Sequence, residues 1–123
     1  YIIFTCVSNE LKTNKSLRMK ILSSKNKWLI KPSAFGKGEG IQFGKNFSKL
    51  DWENLIDKIS DSNNFVIQEY IDQEIFDLIS FDSNGTELVN SKCNIVGTVL
   101  CFDNKFIGPG IYRASSKDLI SLS

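Results

Sequence analysis

The stretch Trp28-Leu29-Ile30-Lys31-Pro32, with glycines following at 36, 38 and 40 and then Ile41-Gln42-Phe43-Gly44, constrains the fold more than any other part of the chain. Three apolar residues closing on a lysine read as a strand. Pro32 has no N–H to donate, so the ladder is expected to stop there. Beyond the glycines, Ile41 and Phe43 alternate with polar neighbours, which is the period of a returning strand and not of a helix. Residues 28–44 therefore read as a β-hairpin with a long tip.

The elements around the hairpin follow from similar patterns. Residues 1–7 are β-branched and aromatic and read as a strand. The polar stretch 8–26 holds a short helix over about 17–22, capped by Ser16 or Asn14. Ser48 and Asp51 resemble a capping box with Asp in the Glu/Gln place. The helix beyond carries Trp52, Leu55, Ile56 and Ile59 at i, i+3, i+4 and i+7, a single apolar stripe closed by Asp61-Ser62-Asn63-Asn64. Residues 65–71 read as a central strand and 75–81 as another, with a turn at Asp82-Ser83-Asn84-Gly85. Residues 86–115 read as strands separated by Asp103-Asn104 and by Gly108-Pro109-Gly110. The sum is an α+β fold, a mostly antiparallel sheet with packed helices. The length of 123 residues fits a single domain, 1–123. The chain opens in mid-strand without a methionine, as a piece of a longer protein would.

Composition removes several chemistries. The chain has no histidine and no C-x-x-C, which excludes His-based triads and the common zinc sites for this chain acting alone. Cys6, Cys93 and Cys101 are odd in number and widely spaced, which fits a reducing cytoplasm. A formal net charge of +1 gives no general attraction to nucleic acid or to an anionic membrane. No apolar run nears the roughly 20 residues that span a bilayer. Trp28 and Trp52 are expected in the core.

Three places can carry chemistry. Alternate glycines at 36, 38 and 40 let backbone N–H groups approach a ligand, and such a run makes an anion-binding concavity. Lys37 at the tip and Lys31 at the base add positive charge, so phosphate is the natural ligand. The spacing is neither a Walker loop nor the glycine motif that opens a dinucleotide-binding helix, and a surface hairpin without ligand satisfies it too. Lys31 closes an apolar strand, where an ammonium needs an anion or must reach back to water. Gln68-Glu69-Tyr70-Ile71 sits where the central strand ends. A glutamate there can accept from an exocyclic amine, and backbone groups past the strand end can read a base edge; a half-exposed acid on a strand fits equally.

These pieces, taken in order from residue 27 to 121, resemble the ATP-grasp superfamily, and within it the circularly permuted, glutathionylspermidine-synthase-like branch. Gly110-Ile111-Tyr112-Arg113-Ala114-Ser115 extends the likeness as a glycine-aromatic-arginine-serine strand. The resemblance implies a ligase that uses ATP and Mg²⁺ to activate a carboxylate as an acyl-phosphate, which an amine or thiol then attacks. It gives Lys31 to the phosphates, and Gly36, Lys37, Gly38 and Gly40 to the loop that closes over them. Gln68, Glu69, Tyr70 and Ile71 would hold adenine, and Asp72 or Glu74 the ribose. Arg113 would stabilise the transferred phosphoryl group. The nucleotide is expected between the 28–44 hairpin and the sheet carrying 65–71. The metal ligands are unassigned: Asp118 stands alone after the arginine strand, and Asp77 and Asp82 match nothing. A reduced domain that binds nucleotide or a protein partner without catalysing is the alternative.

Overall fold

A computed structural model describes residues 3–34 and 38–117. They divide into two compact units, 1–71 and 72–123. The first unit holds β1 (Thr5–Val7), α1 (Lys15–Ser23), β2 (Trp28–Pro32), β3 (Gln42–Phe43), α2 (Lys49–Ser60) and β4 (Phe65–Glu69). Its four strands pair in the order β1-β4-β2-β3, antiparallel throughout. The strand over 65–69 is therefore internal, as its apolar content implies. Among the described residues no helix is long and apolar enough to cross a membrane.

Side chains alternate between the two faces of a strand, and the register sorts them. Cys6, Ile67 and Ile30 stand level across three strands. All three are buried, in one cluster with Trp28, Leu11, Ile21, Trp52, Ile56 and Ile59. The apolar stripe of α2 thus lands on the sheet where its spacing points. Trp52 is fully buried, and its indole N–H is satisfied by the Ile21 carbonyl at 3.2 Å. Ser48 caps α2 by accepting from Asp51 N–H at 3.1 Å and donating to Asp51 Oδ2 at 2.7 Å. Asn14 caps α1, accepting from Leu17 N–H at 3.0 Å.

Pro32 is the last residue of β2, as its missing N–H implies. It still stands opposite Phe65, and Ser33 N–H donates to the Asn64 carbonyl at 2.8 Å just beyond, so the proline ends the strand without breaking the pairing before it.

Gly108-Pro109-Gly110, against expectation, does not break the chain into two strands. The second unit is a three-stranded antiparallel sheet of β5 (Ile75–Phe81), β6 (Leu88–Phe102) and β7 (Lys105–Ser115), in that order, and β7 runs through all three residues. It is an outer strand, where proline is tolerated. The register shifts between Gly97 and Val99, and Thr98 Oγ1 fills the gap by accepting from Ile111 N–H at 2.8 Å. Asp103 and Asn104, both at positive φ, make the two-residue turn between β6 and β7.

Gly44 has no room for a side chain. A Cβ there would lie 2.1 Å from the Lys25 carbonyl oxygen, so the turn after β3 and the turn Lys25–Lys27 meet backbone to backbone. Gly44→Ala is expected to cost about 1–3 kcal/mol, read as a lower urea midpoint with an unchanged m-value. The Cys6 thiol is pushed up to about 11, by burial first and by the Glu10 carboxylate second, while Cys101 is exposed. Native protein at pH 8 should therefore alkylate at Cys101 and spare Cys6, as peptide mass mapping would show.

Candidate nucleotide-binding face

The face of the first sheet opposite the helices is set by the same alternation. Lys31 stands opposite Val66, and Leu29 stands between Gln68 and Phe43. All five side chains therefore lie on the side away from Ile30, Ile67 and Cys6. Lys31 is half-buried. Among the described residues it has no hydrogen-bond or ion-pair partner. Leu29 beside it is 8 % exposed. An ammonium next to shielded apolar surface, with no protein anion, is a place where an anionic ligand gains most.

At the other end of this face, Phe43 and Tyr70 meet edge to face, with ring centroids 5.4 Å apart. Lys45, two residues past Phe43, sits 4.9 Å from the Tyr70 centroid and 5.6 Å from that of Phe43, and its Nζ is 3.3 Å from Tyr70 Oη. The backbone of the strand end is partly committed: Glu69 N–H donates to the Phe4 carbonyl at 3.0 Å and Tyr70 N–H to the Lys27 carbonyl at 2.7 Å. Ile71 N–H is the next donor along, and among the described residues it makes no hydrogen bond.

The structure redistributes the residues expected at the site. Lys31, Gln68 and Tyr70 share the helix-free face. Glu69 stands opposite Trp28, on the helix side by strand alternation. β2 bonds directly to β4, so the strands of the hairpin and the central strand form one layer whose face is open to a ligand.

Gly38 and Gly40 take φ of 78° and 72°, and a Cβ on Gly40 would come within 2.8 Å of Pro32 Cγ. These two glycines are explained by the path of the chain. Gly36 and Lys37 lie outside the described residues, as does Asp118. Asp72 and Glu74 are exposed in the segment before β5. Arg113 lies in the second unit on β7, half-buried and opposite Val96. Among the described residues no three of His, Cys, Asp and Glu gather around a point that could hold a metal.

Sequence reasoning did not single out Phe43 or Lys45 as site residues. The β2–β3 register, Leu29 opposite Phe43, puts Phe43 on Lys31's face, and Lys45 joins it through its contacts with Phe43 and Tyr70.

Comparison with known proteins gives the family. The sequence profile of the tubulin-tyrosine ligase family matches residues 5–74, more than half of the chain. The chain belongs to the tubulin-tyrosine ligase family. The matched region holds Lys31, the glycine loop and the 68–71 strand end. The chain is also similar to the ATP-grasp enzyme ankG of Aspergillus thermomutatus, 29% identical over 103 residues, which are 80% of this chain and 21% of that protein. The chain thus spans about one-fifth of the length of this relative. Both matches place it in the ATP-grasp superfamily. No solved structure matches significantly.

In this tubulin-tyrosine ligase family member, Gly40→Ala would force a side chain into a left-handed conformation and against Pro32. A loss of about 1–3 kcal/mol is expected from the strain, read by thermal or urea melting without any ligand.

Proposed function

We propose that the chain is the nucleotide-binding part of an ATP-grasp ligase that joins a carboxylate to an amine or thiol through an acyl-phosphate. One observation carries the reading: Lys31 is a half-buried ammonium without an anionic partner among the described residues, on the sheet face that the helices leave open, in a chain of a ligase family. ATP supplies the phosphoryl group that activates the carboxylate. Lys31 holds its phosphates, with the 36–40 loop closing over them. Gln68, Tyr70 and the Ile71 N–H address the base, and Glu69 contributes through its backbone. Arg113 stabilises charge on the transferred group. The chemistry suits a chain without histidine, because phosphoryl transfer is mostly positioning and electrostatic stabilisation.

Among the described residues no three of His, Cys, Asp and Glu gather at one point, so Mg²⁺ would be held mainly by the phosphates of ATP with one or two carboxylates. Neither match speaks for the glutathionylspermidine-synthase-like branch, and we set it aside. Three free cysteines suit a reducing compartment such as the cytoplasm.

Thermal shift of the intact protein with MgATP tests the nucleotide: at 100 times Kd, ATP should add about 2.7 kcal/mol of stability. No shift would remove the reading. Binding without ADP release in the presence of candidate carboxylates and amines would make the chain a reduced, non-catalytic member instead. Lys31→Ala should weaken ATP binding about 10- to 100-fold, the loss of a charge-assisted contact. Lys37→Ala should cost less, because Lys37 belongs to the loop and not to a strand. Equal losses by calorimetry would count against assigning the phosphates to Lys31.

A further inference from the structure

We propose that Lys45 is a positioning residue for the base end of the nucleotide, acting through Tyr70. The inference rests on reading the helix-free face as the nucleotide site. Lys45 lies in the turn Gly44–Asn46 after β3. That turn meets the turn Lys25–Lys27 at Gly44, and the Lys27 carbonyl holds Tyr70 N–H at 2.7 Å. Tyr70 is therefore fixed twice, by its backbone to Lys27 and by its ring and hydroxyl to Lys45. The ammonium sits 4.9 Å from the ring centroid and 3.3 Å from Oη, where the quadrupole of the ring attracts it. Phe43 closes the group from its edge-on position, 5.4 Å from Tyr70. Fixing Tyr70 fixes the direction of the next peptide, whose Ile71 N–H is the unpaired donor at this strand end.

Lys31 lies on β2 opposite Val66, whereas Lys45 lies beyond β3 against Phe43 and Tyr70, so the two cations serve different parts of the face. Lys45 also makes other interactions.

Calorimetry with two ligands tests this on the intact protein: MgATP, and inorganic tripolyphosphate, which has phosphates but no base. Lys45→Met keeps the aliphatic stem and removes the charge. It should weaken ATP about three- to tenfold and leave tripolyphosphate unchanged. Tyr70→Phe should shift ATP in the same direction by less, and the double variant should be no worse than Lys45→Met alone, since both remove one contact. Lys31→Met should weaken both ligands. Unaltered ATP binding by Lys45→Met and Tyr70→Phe, or an equal loss of both ligands, would overturn the role of Lys45 and leave the nucleotide site standing. Wild-type protein that binds neither ligand would overturn both. Tyr70→Phe serves as the decisive variant if Lys45→Met does not fold.

Discussion

Burying Cys6, Ile67 and Ile30 against Ile21, Trp52, Ile56 and Ile59 obliges the alternate residues of the same strands to face the other way. That one constraint places the candidate site. Once Ile30 and Ile67 are committed to the core, Lys31 and Gln68 have no choice of side. A slip of one residue in β2 would bury the ammonium of Lys31 and expose Ile30, a change costly enough to make the register secure. The geometry of the site is thus a by-product of how the core is packed.

The second unit works under a different constraint. Among its described residues Cys93 is the one buried hydrophobic side chain, while Ile75, Phe81, Phe102 and Phe106 are each at least 66% exposed. A three-stranded sheet cannot cover its own faces, and apolar faces are stable when packed against another layer. Local devices hold the strands themselves: Tyr112 lies over Gly97, where a Cβ would come within 2.2 Å of its ring. Asp82 accepts from Thr86 and Glu87 N–H, and those donors draw its carboxyl below the ordinary carboxylate range. Such features fix the turn and the ladder without supplying a core.

The legibility of each part in the sequence followed from whether the deciding signal was local. The stripe Trp52, Leu55, Ile56, Ile59 and the cap Ser48 were readable because a helix makes its pattern within a few residues. The hairpin 28–44 was readable from the change of period around its glycines. The continuity of β7 through Gly108-Pro109-Gly110 was not, because it depends on β7 being an outer strand and on Thr98, a residue ten positions away, filling the bulge. Pro32 was readable as the end of β2, whereas the bond from Ser33 to Asn64 beyond it depends on the partner strand. The site divides likewise. Lys31 was visible as a charge closing an apolar run, whereas the facing of Glu69 and the grouping of Phe43, Lys45 and Tyr70 depend on pairings across three strands.

The glycines show how a structure can shift weight from one observation to another. A glycine-rich loop beside a lysine looks like a phosphate cradle, but Gly40 is required by its positive φ and by Pro32, and Gly44 by the Lys25 carbonyl. Both would be glycine in a protein that bound nothing. Lys31 has no such structural reason. An exposed threonine, serine or valine would end β2 as well, with less desolvation and more β-propensity. A lysine held half-buried on a strand, facing away from the helices and with no carboxylate to meet it among the described residues, is a cost to the free fold that a bound anion would remove. The functional weight of the hairpin therefore falls on Lys31 more than on the loop that first draws the eye.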